Sequence, residues 1–406
     1  MRAGPSSPNA LYLSYDGALD PLGSSQVVPY LEGLARAGYR FDLISFEKPR
    51  RFAQVEARAR MQARLSAAQI TWHPLPYHQR PSALATSYDL ARGLRLARRL
   101  ARDRRFALVH ARSYPASLIA WRLGLPYLFD MRGLYAEERV EGRIWPAGGA
   151  LYRITKALEA RFLRDAAAVI TLTEASVPRL RSMMASAGSQ AALEVIPTCV
   201  DLDRFRALAR HEGPFTAAYL GSLGTWYLLE EMLLLGRALL AREPETRLLF
   251  VTNDDPAPLQ ARAAALGLPP DRLLVRSVPH EQVPAALREA SATFALIRPS
   301  SSKIASAATK FGESLALGLP ALTNRGIGDS AEIASSERVG VVVEELSPPG
   351  YARAADELVR LAAEEGIRER CRRAAETHFD LARGVARYAA VYRAISGRAT
   401  APVLGD

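Results

Sequence analysis

In the stretch TKFGESLALGLPALTNRGIGD (309–329) one carboxylate, Glu313, lies inside a run of small and apolar residues that stops at Gly318 and Pro320. The pattern predicts a helix over about 309–317, ended by Gly318, and a strand that opens at Pro320. An ionised carboxylate on such a helix can accept two hydrogen bonds from a vicinal diol, the group a ribose presents. It can equally be paired with a neighbouring cation such as Arg298 or Lys310, and spacing alone leaves both readings open. The following loop, NRGIGDSAE (324–332), supplies glycines and N–H groups where a sugar or phosphate could approach.

Two other loops have residue types suited to a phosphate. YLGSLGTWYLLEEML (219–233) reads as a strand, then Gly221, Ser222, Leu223 and Gly224, then an amphipathic helix beginning near Thr225. Glycines bring the backbone close to a ligand, and the first N–H groups of a helix attract anions. Ser222 and Thr225 can bond a phosphate oxygen or simply cap the helix of a tight turn. DGALDPLGSSQVVPYL (16–31) repeats the logic, with Gly23 and Ser24 before a helix expected to start near Ser24 or Ser25. Neither is a GxGxxG, and no GxxxxGK[ST] occurs, so nicotinamide-dehydrogenase and P-loop readings have no fingerprint.

Positioning such loops requires a sheet, and thirteen short apolar runs supply strand candidates. Seven lie at 10–14, 41–46, 70–75, 107–111, 126–131, 168–173 and 193–197, and six at 216–221, 247–253, 272–278, 292–297, 320–324 and 339–345. Continuous apolar strands separated by helical patterns predict α/β parallel sheets covered on both faces. The rhythm breaks in the charged connector DLDRFRALARHEGPF (201–215), which sets expected domains at 1–205 and 214–375, with a last helix at 381–397. Two doubly wound domains would face one another across a cleft at the carboxyl ends of their strands. The tails, 1–9 and 398–406, are expected to be disordered.

A chain of 406 residues, 49% hydrophobic and 23% charged, has material for two ordinary cores. Its two cysteines, Cys199 and Cys371, are far apart and belong to no ligand spacing, which excludes a disulfide framework and gives no metal site. The N-terminus lacks a signal-peptide core and no run of about 18 apolar residues occurs, so the expectation is a cytoplasmic protein that does not span a membrane. Net charge is +11, much of it in ARGLRLARRLARDRRF (91–106), where the arginines lie off the apolar face. That helix reads as a solvated surface or as a docking face for an anionic membrane. No zinc finger, aromatic-basic motif or basic zipper region points to nucleic acid.

Four segments taken in order, SYDGALDPLGSSQVVPYLEGLARAGYRFDLISF, VIPTCVDLDRF, YLGSLGTWYLLEEML and TKFGESLALGLPAL, resemble retaining GT-B glycosyltransferases of the large family-4 group. The resemblance extends over about 10–395. It implies transfer of a sugar from a nucleotide diphosphate sugar, with retained anomeric configuration, no metal and no bound cofactor. It also implies a final helix that crosses back to the first domain. By position, Glu313 matches the second glutamate of the family's E-x7-E motif, which holds the donor ribose, and Gly318 and Pro320 match its trailing G-x-P. Gly221 to Gly224 match the diphosphate loop. SVPHEQVP (277–284), with His280, matches the segment lining the nucleobase pocket. Gly23 and Ser24 match the first-domain glycine loop. Eight positions before Glu313 stands Ala305, so the first motif glutamate is missing, and Ser222 replaces the loop arginine. Arg298, Lys303 and Lys310 are the cations available to replace the family's phosphate contacts, with Lys303 or Lys310 expected to serve. For the chemistry, strand ends in VHARS (109–113) and FDMRGLYAEE (129–138) offer His110, Arg112, Asp130, Arg132 and Glu137, with Asp130 and Arg132 alternatively a structural ion pair. His73, His78, His211 and His378 read as surface or packing residues.

The expected partners are a UDP- or GDP-sugar donor, a glycan or lipid-linked acceptor in cell-surface polysaccharide assembly, and an anionic membrane surface. The missing glutamate and cations keep two alternatives open, a non-catalytic nucleotide-sugar-binding subunit and a GT-B nucleotide-sugar epimerase.

Overall fold

The computed structural model describes residues 8–80, 82–224 and 226–399. The expectation for Thr225, and that for most of the two tails, lies outside the described residues. The chain divides into two compact units, the first made of 1–196 with 381–406 and the second of 197–380.

In the first unit seven strands form one parallel sheet in the order β3-β2-β1-β4-β5-β6-β7. They are β1 (Asn9–Ser14), β2 (Arg40–Glu47), β3 (Ile70–Pro76), β4 (Leu108–Arg112), β5 (Tyr127–Asp130), β6 (Ala168–Thr171) and β7 (Ala192–Val195). The second unit has six parallel strands in the order β10-β9-β8-β11-β12-β13. Its strands are β8 (Thr216–Leu220), β9 (Arg247–Val251), β10 (Leu273–Arg276), β11 (Ala292–Phe294), β12 (Ala321–Asn324) and β13 (Gly340–Val343). Helices cover both faces, so central strands such as LYL (11–13) and AAYL (217–220) are buried at every residue.

Each sheet reverses its strand order once, between β1 and β4 and between β8 and β11. Loops at the carboxyl ends of strands on either side of such a reversal diverge and leave a crevice, the usual ligand position in open α/β sheets. The loops 15–20 and 221–224 follow β1 and β8, so both glycine loops singled out in the sequence lie at a reversal.

The connector expected at 201–215 folds into the second unit. The Val200 N–H donates to Phe379 O at 2.7 Å, Phe205 is buried in that unit's core, and Arg372 donates to Phe205 O at 2.6 Å. Its charged residues lie on an irregular surface loop, which is why no periodicity marks it. The last helix, Leu381–Ala399, returns to the first unit and packs on the Val28–Arg36 helix and on β4.

Candidate functional site

Glu313 lies on the Thr309–Ala316 helix and is 2% exposed. Its two oxygens have separate partners: His280 Nε2 at 2.8 Å on Oε1, and Lys310 Nζ at 3.0 Å on Oε2. Arg204 approaches His280 Nδ1 at 3.2 Å. A guanidinium can only donate, so Nδ1 is the acceptor and Nε2 carries the hydrogen given to Glu313. Burial alone would raise the carboxyl's pKa, yet Lys310 and His280 outweigh it and hold the group below its usual range. Glu313 is therefore an ionised carboxylate fixed in direction. The Lys310 alternative is realised, Arg298 is not among the partners, and His280 acts through its side chain.

Ten residues before Glu313, Lys303, in the short turn Lys303–Ala305, is largely buried with its ammonium 3.8 Å above the Trp226 ring. Ala305, in the same turn, is buried and carries no polar group toward a ligand. The loop after β12 closes over this turn, with Gly328 N–H donating to Lys303 O at 2.9 Å. Asn324 fixes the adjacent backbone in both directions, its side chain accepting from Ile297 N–H and donating to Ile297 O, each at 2.9 Å. Arg298 is exposed at the end of this segment. An apolar cavity of about 30 Å³ lies behind the helix, lined in part by Leu220, Tyr227, Ile297 and Phe311. It has room for about one water and is too small for a sugar.

The glycine loop after β8 is held from two sides. Gly221 has φ +152°, and a Cβ there would come 2.9 Å from the Tyr219 hydroxyl, which donates to Ser222 O. Asp254 accepts from Leu223 N–H at 2.6 Å. The helix expected near Thr225 begins instead at Leu229, with no side-chain cap. The reason is local pairing. Tyr227 bridges Ile297 antiparallel, Leu228 N–H donates to Leu296 O at 2.9 Å, and Arg298 N–H donates to Trp226 O at 2.8 Å. Residues 226–228 thus pair with the chain just beyond β11, and Ser222 and Gly224 form a loop ahead of them.

In the first unit the helix expected near Ser24 starts at Pro21, since proline is pre-set for the first helical turn. The Ser24 and Ser25 hydroxyls turn back to Pro21 O at 3.2 and 2.7 Å. Gly23 is a contact residue, because a Cβ there would stand 1.9 Å from Gly17 O. Two N–H groups of the loop, Ala18 and Leu19, donate to the buried Glu47 at 2.7 and 3.1 Å. Burial is the largest influence on Glu47 and raises its pKa. Glu47 and Asp254 thus shape the two glycine loops; Glu47 ends the apolar β2 and Asp254 follows the apolar β9, the only sequence signal either has.

The first-unit candidates fall into two separate groups. His110, Arg112, Asp130 and Arg132 converge beneath the last helix. His110 Nδ1 meets the Tyr392 hydroxyl at 2.7 Å and Nε2 meets Asp130 Oδ2 at 3.3 Å, while Tyr388 OH donates to Asp130 Oδ2 at 3.1 Å. Arg112 and Arg132 stand 3.8 and 3.9 Å from Asp130. Burial lowers the His110 pKa against the pull of Asp130, so the ring is held neutral. Burial would raise Asp130, but Arg132, His110 and Arg112 together hold it low. Arg132 takes a left-handed backbone at φ +59°, a strained state for a residue with a side chain. Glu137 sits elsewhere, accepting from Lys156 at 2.9 Å and Arg179 at 3.0 Å beside Glu159 and Tyr114. Among the described residues no three His, Cys, Asp or Glu side chains gather in a way that could hold a metal ion.

Comparison with known proteins joins this geometry to a family. The sequence model of Glycosyltransferase Family 4 matches residues 25–204, and that of Glycosyl transferases group 1 matches 202–378. No curated protein sequence matches the chain. The fold is similar to sucrose-phosphate synthase from Thermosynechococcus elongatus, with TM-score 0.71 and 16% identity over 96% of this chain and 100% of that one. It is also similar to a glycosyltransferase from Rickettsia africae, with TM-score 0.70 and 13% identity over 96% and 99%. Anabaena HepE, solved in complex with UDP and glucose, superposes with TM-score 0.66 and 14% identity over 94% and 98%. With two matched models in succession and two Rossmann-like units in the GT-B manner, the chain belongs to the family-4/group-1 glycosyltransferases.

Proposed function

We propose that this glycosyltransferase is a retaining hexosyltransferase. It would take its sugar from a UDP- or GDP-sugar and pass it to a glycan or lipid-linked acceptor in cell-surface polysaccharide assembly, working at the cytoplasmic face of a membrane. One observation carries the reading: the ionised Glu313 is fixed by His280 and Lys310 on the helix after β11, and the glycine loop after β8 lies at the same strand-order reversal of the second unit. Each oxygen of a carboxylate has two acceptor positions, so His280 and Lys310 leave one on each for the hydroxyls of a ribose. Lys310 is partly exposed and can swing from Glu313 toward a diphosphate, while Lys303 supplies a second cation. The reading assigns the diphosphate charge to these two lysines, with no metal and no bound cofactor. The Anabaena HepE complexes with UDP and UDP-glucose support uridine as the first base to try.

A second reading, nucleotide-sugar binding without transfer, is favoured by Ala305, which is buried where the family's sugar-contacting glutamate would stand. The test is a thermal-shift panel of UDP, GDP, ADP, CMP and their common sugar conjugates on wild type and Glu313→Ala. A ligand at 100 times its Kd stabilises by about 2.7 kcal/mol, a shift of a few degrees. One diphosphate that stabilises wild type and not the variant supports a donor site, and turnover of its sugar conjugate on a lipid-linked acceptor then separates the two readings. No stabilisation by any of them removes the donor reading.

A further inference from the structure

The first unit carries an exposed apolar edge that neither the donor site nor the core uses. Leu84, Tyr88, Ile144, Leu151 and Ile154 are 43 to 71% exposed, and they are five of the seven large apolar side chains exposed to this degree among the described residues. They are distant in sequence and gather by topology. The helices Ser82–Asp103, Ser113–Leu123 and Ala150–Asp165 lie side by side, the middle one packed on both others. Each precedes a strand of the parallel sheet, so its N-terminal turns stand at the carboxyl ends of the strands. Leu84 and Tyr88 are in the first turns of one such helix, Leu151 and Ile154 in the first turns of another, and Ile144 in the loop leading to it.

Aromatic rings fill the space between. His78 meets Tyr88 at 5.3 Å, Trp145 meets Tyr135 at 5.7 Å, and Arg139 lies over Tyr135 at 4.7 Å. Tyr77 meets Tyr15 at 5.4 Å, and burial raises its pKa. The two segments that bear the apolar tips have charge of one sign, while the half-buried Glu138 and Glu141 of the preceding helix have interactions of their own. Residues 76–88 include Arg80 and no Asp or Glu, and residues 142–158 include Arg143, Arg153 and Lys156 and no Asp or Glu. Lys156 is held by Glu137 and Glu159, which leaves the exposed Arg143 and Arg153 as that segment's outward charges. The Tyr88 stripe continues along its helix through the exposed Arg95, Arg98 and Arg102. Asp89, the one acid beside it, is buried and taken by His78 at 2.5 Å.

We propose that this edge docks on the surface of an anionic bilayer. Leu84, Ile144, Leu151 and Ile154 would reach the acyl boundary, with Tyr88 and Trp145 at headgroup depth and Arg80, Arg143 and Arg153 on the lipid phosphates. Separate apolar tips, amphipathic rings and arginines on segments free of acidic residues match the layers of a bilayer interface. No described helix is long and apolar enough to cross a membrane, so the contact lies in the interface plane. Docking needs no donor chemistry. Only its use, bringing the first unit to a lipid-linked acceptor, rests on the function proposed above.

The experiment is flotation of the full chain with phosphatidylcholine vesicles, with and without phosphatidylglycerol. Wild type should float only with the anionic vesicles, and salt should release it. Ile144→Ser with Ile154→Ser should lower partitioning at least about tenfold, since two exposed apolar anchors are lost. Arg143→Ala with Arg153→Ala should lower it about tenfold at low salt, and the gap should close as salt rises. Unchanged melting temperatures in both variants show that they are folded. Wild type that stays with the unbound fraction, or variants that float as wild type does, overturns the proposal. So does a wild-type dimer that the isoleucine substitutions dissolve while vesicle binding is absent, which would assign the edge to a second copy. Failure of every nucleotide to bind would sink the donor reading and leave the flotation result standing.

Discussion

Glutamine at position 313 keeps the shape of the side chain, removes its charge and turns one acceptor oxygen into a donor. In the native protein the two oxygens receive His280 and Lys310 at 2.8 and 3.0 Å. The amide oxygen of Glu313→Gln can serve one of them, and Lys310, which is partly exposed, can turn to solvent, so the fold should lose only about 1 kcal/mol. Ligand binding should suffer more. A ribose diol donates two charge-assisted bonds to the carboxylate, and the amide can accept only one of them. Losing one such bond and weakening the other removes about 3 kcal/mol, or roughly 150-fold in Kd. The diagnostic quantity is a double comparison by calorimetry: wild type and Glu313→Gln, each with UDP and 2′-deoxy-UDP. If the carboxylate holds the 2′-hydroxyl, wild type discriminates strongly between the two ligands and the variant little, giving a coupling of about 1.5 kcal/mol or more. A deoxy penalty equal in both proteins would mean that Glu313 does not touch that hydroxyl, whatever the absolute affinities. The guanine pair replaces the uracil pair if GDP is the nucleotide that binds.

Alanine at both Lys303 and Lys310 should leave binding of the nucleoside nearly intact while weakening the diphosphate about tenfold or more, one unit of about 1.4 kcal/mol. An equal loss for nucleoside and diphosphate, read by calorimetry, would show that the lysines support the fold and not the phosphates. Tyr392→Phe withdraws the hydroxyl from buried His110 Nδ1 and should lower stability by about 1–3 kcal/mol in urea unfolding, because a buried acceptor loses its donor. A change below about 0.5 kcal/mol would mean that the bond contributes nothing net. His110 has a lowered pKa, so the unfolded chain takes up a proton below about 6.5 that the native chain refuses. Stability should therefore fall as pH drops from about 6.5 toward the native value, by up to about 1.4 kcal/mol per pH unit for this proton. The lowered Asp130 and Glu313 carboxyls contribute stability above their unfolded values near 4 and lose it only below them. Urea midpoints of wild type and His110→Phe between pH 6.5 and 5 isolate the first effect, and parallel curves would refute it.

Each of the thirteen described strands is an apolar run in the sequence, within a few residues of its observed limits. Strands buried on both faces are mostly apolar along their length, so parallel sheets announce themselves. The loops at the strand-order reversals were legible too, because glycine and proline interrupt those runs. What stayed hidden is side-chain partnership over long chain distances. Glu47 reaches back to the loop after β1, Asp254 crosses from the end of β9 to Leu223, and Arg204 sets the His280 ring. Each is an ordinary charged residue at a strand end or in a loop, with no spacing that names its partner. The early start expected for the helix after β8 failed for a related reason. Residues 226–228 pair with 296–298, a contact that amphipathic periodicity within the helix cannot report.

The cluster around His110 shows how a residue pattern can suit chemistry and hold architecture at once. Asp130 ends β5 and His110 lies two residues before the end of the neighbouring β4, close to where ligands of this fold class bind. Their partners Tyr392 and Tyr388 arrive on the last helix, 282 and 258 residues later in the chain. Until that helix docks, both residues lack partners that they need in a dry environment, so the first unit completes its polar core only after the whole second unit has been made. Substituting His110 or Asp130 must then loosen the last helix whether or not either group touches a substrate. Loss of transfer in such a variant becomes a statement about catalysis only if the helix stays docked, as judged by hydrogen exchange of 381–399. If Tyr392→Phe loosens the helix as much as His110→Phe and transfer falls in proportion, the cluster acts through position alone. Transfer lost in the histidine variant with protection of the helix retained would place the imidazole in the reaction.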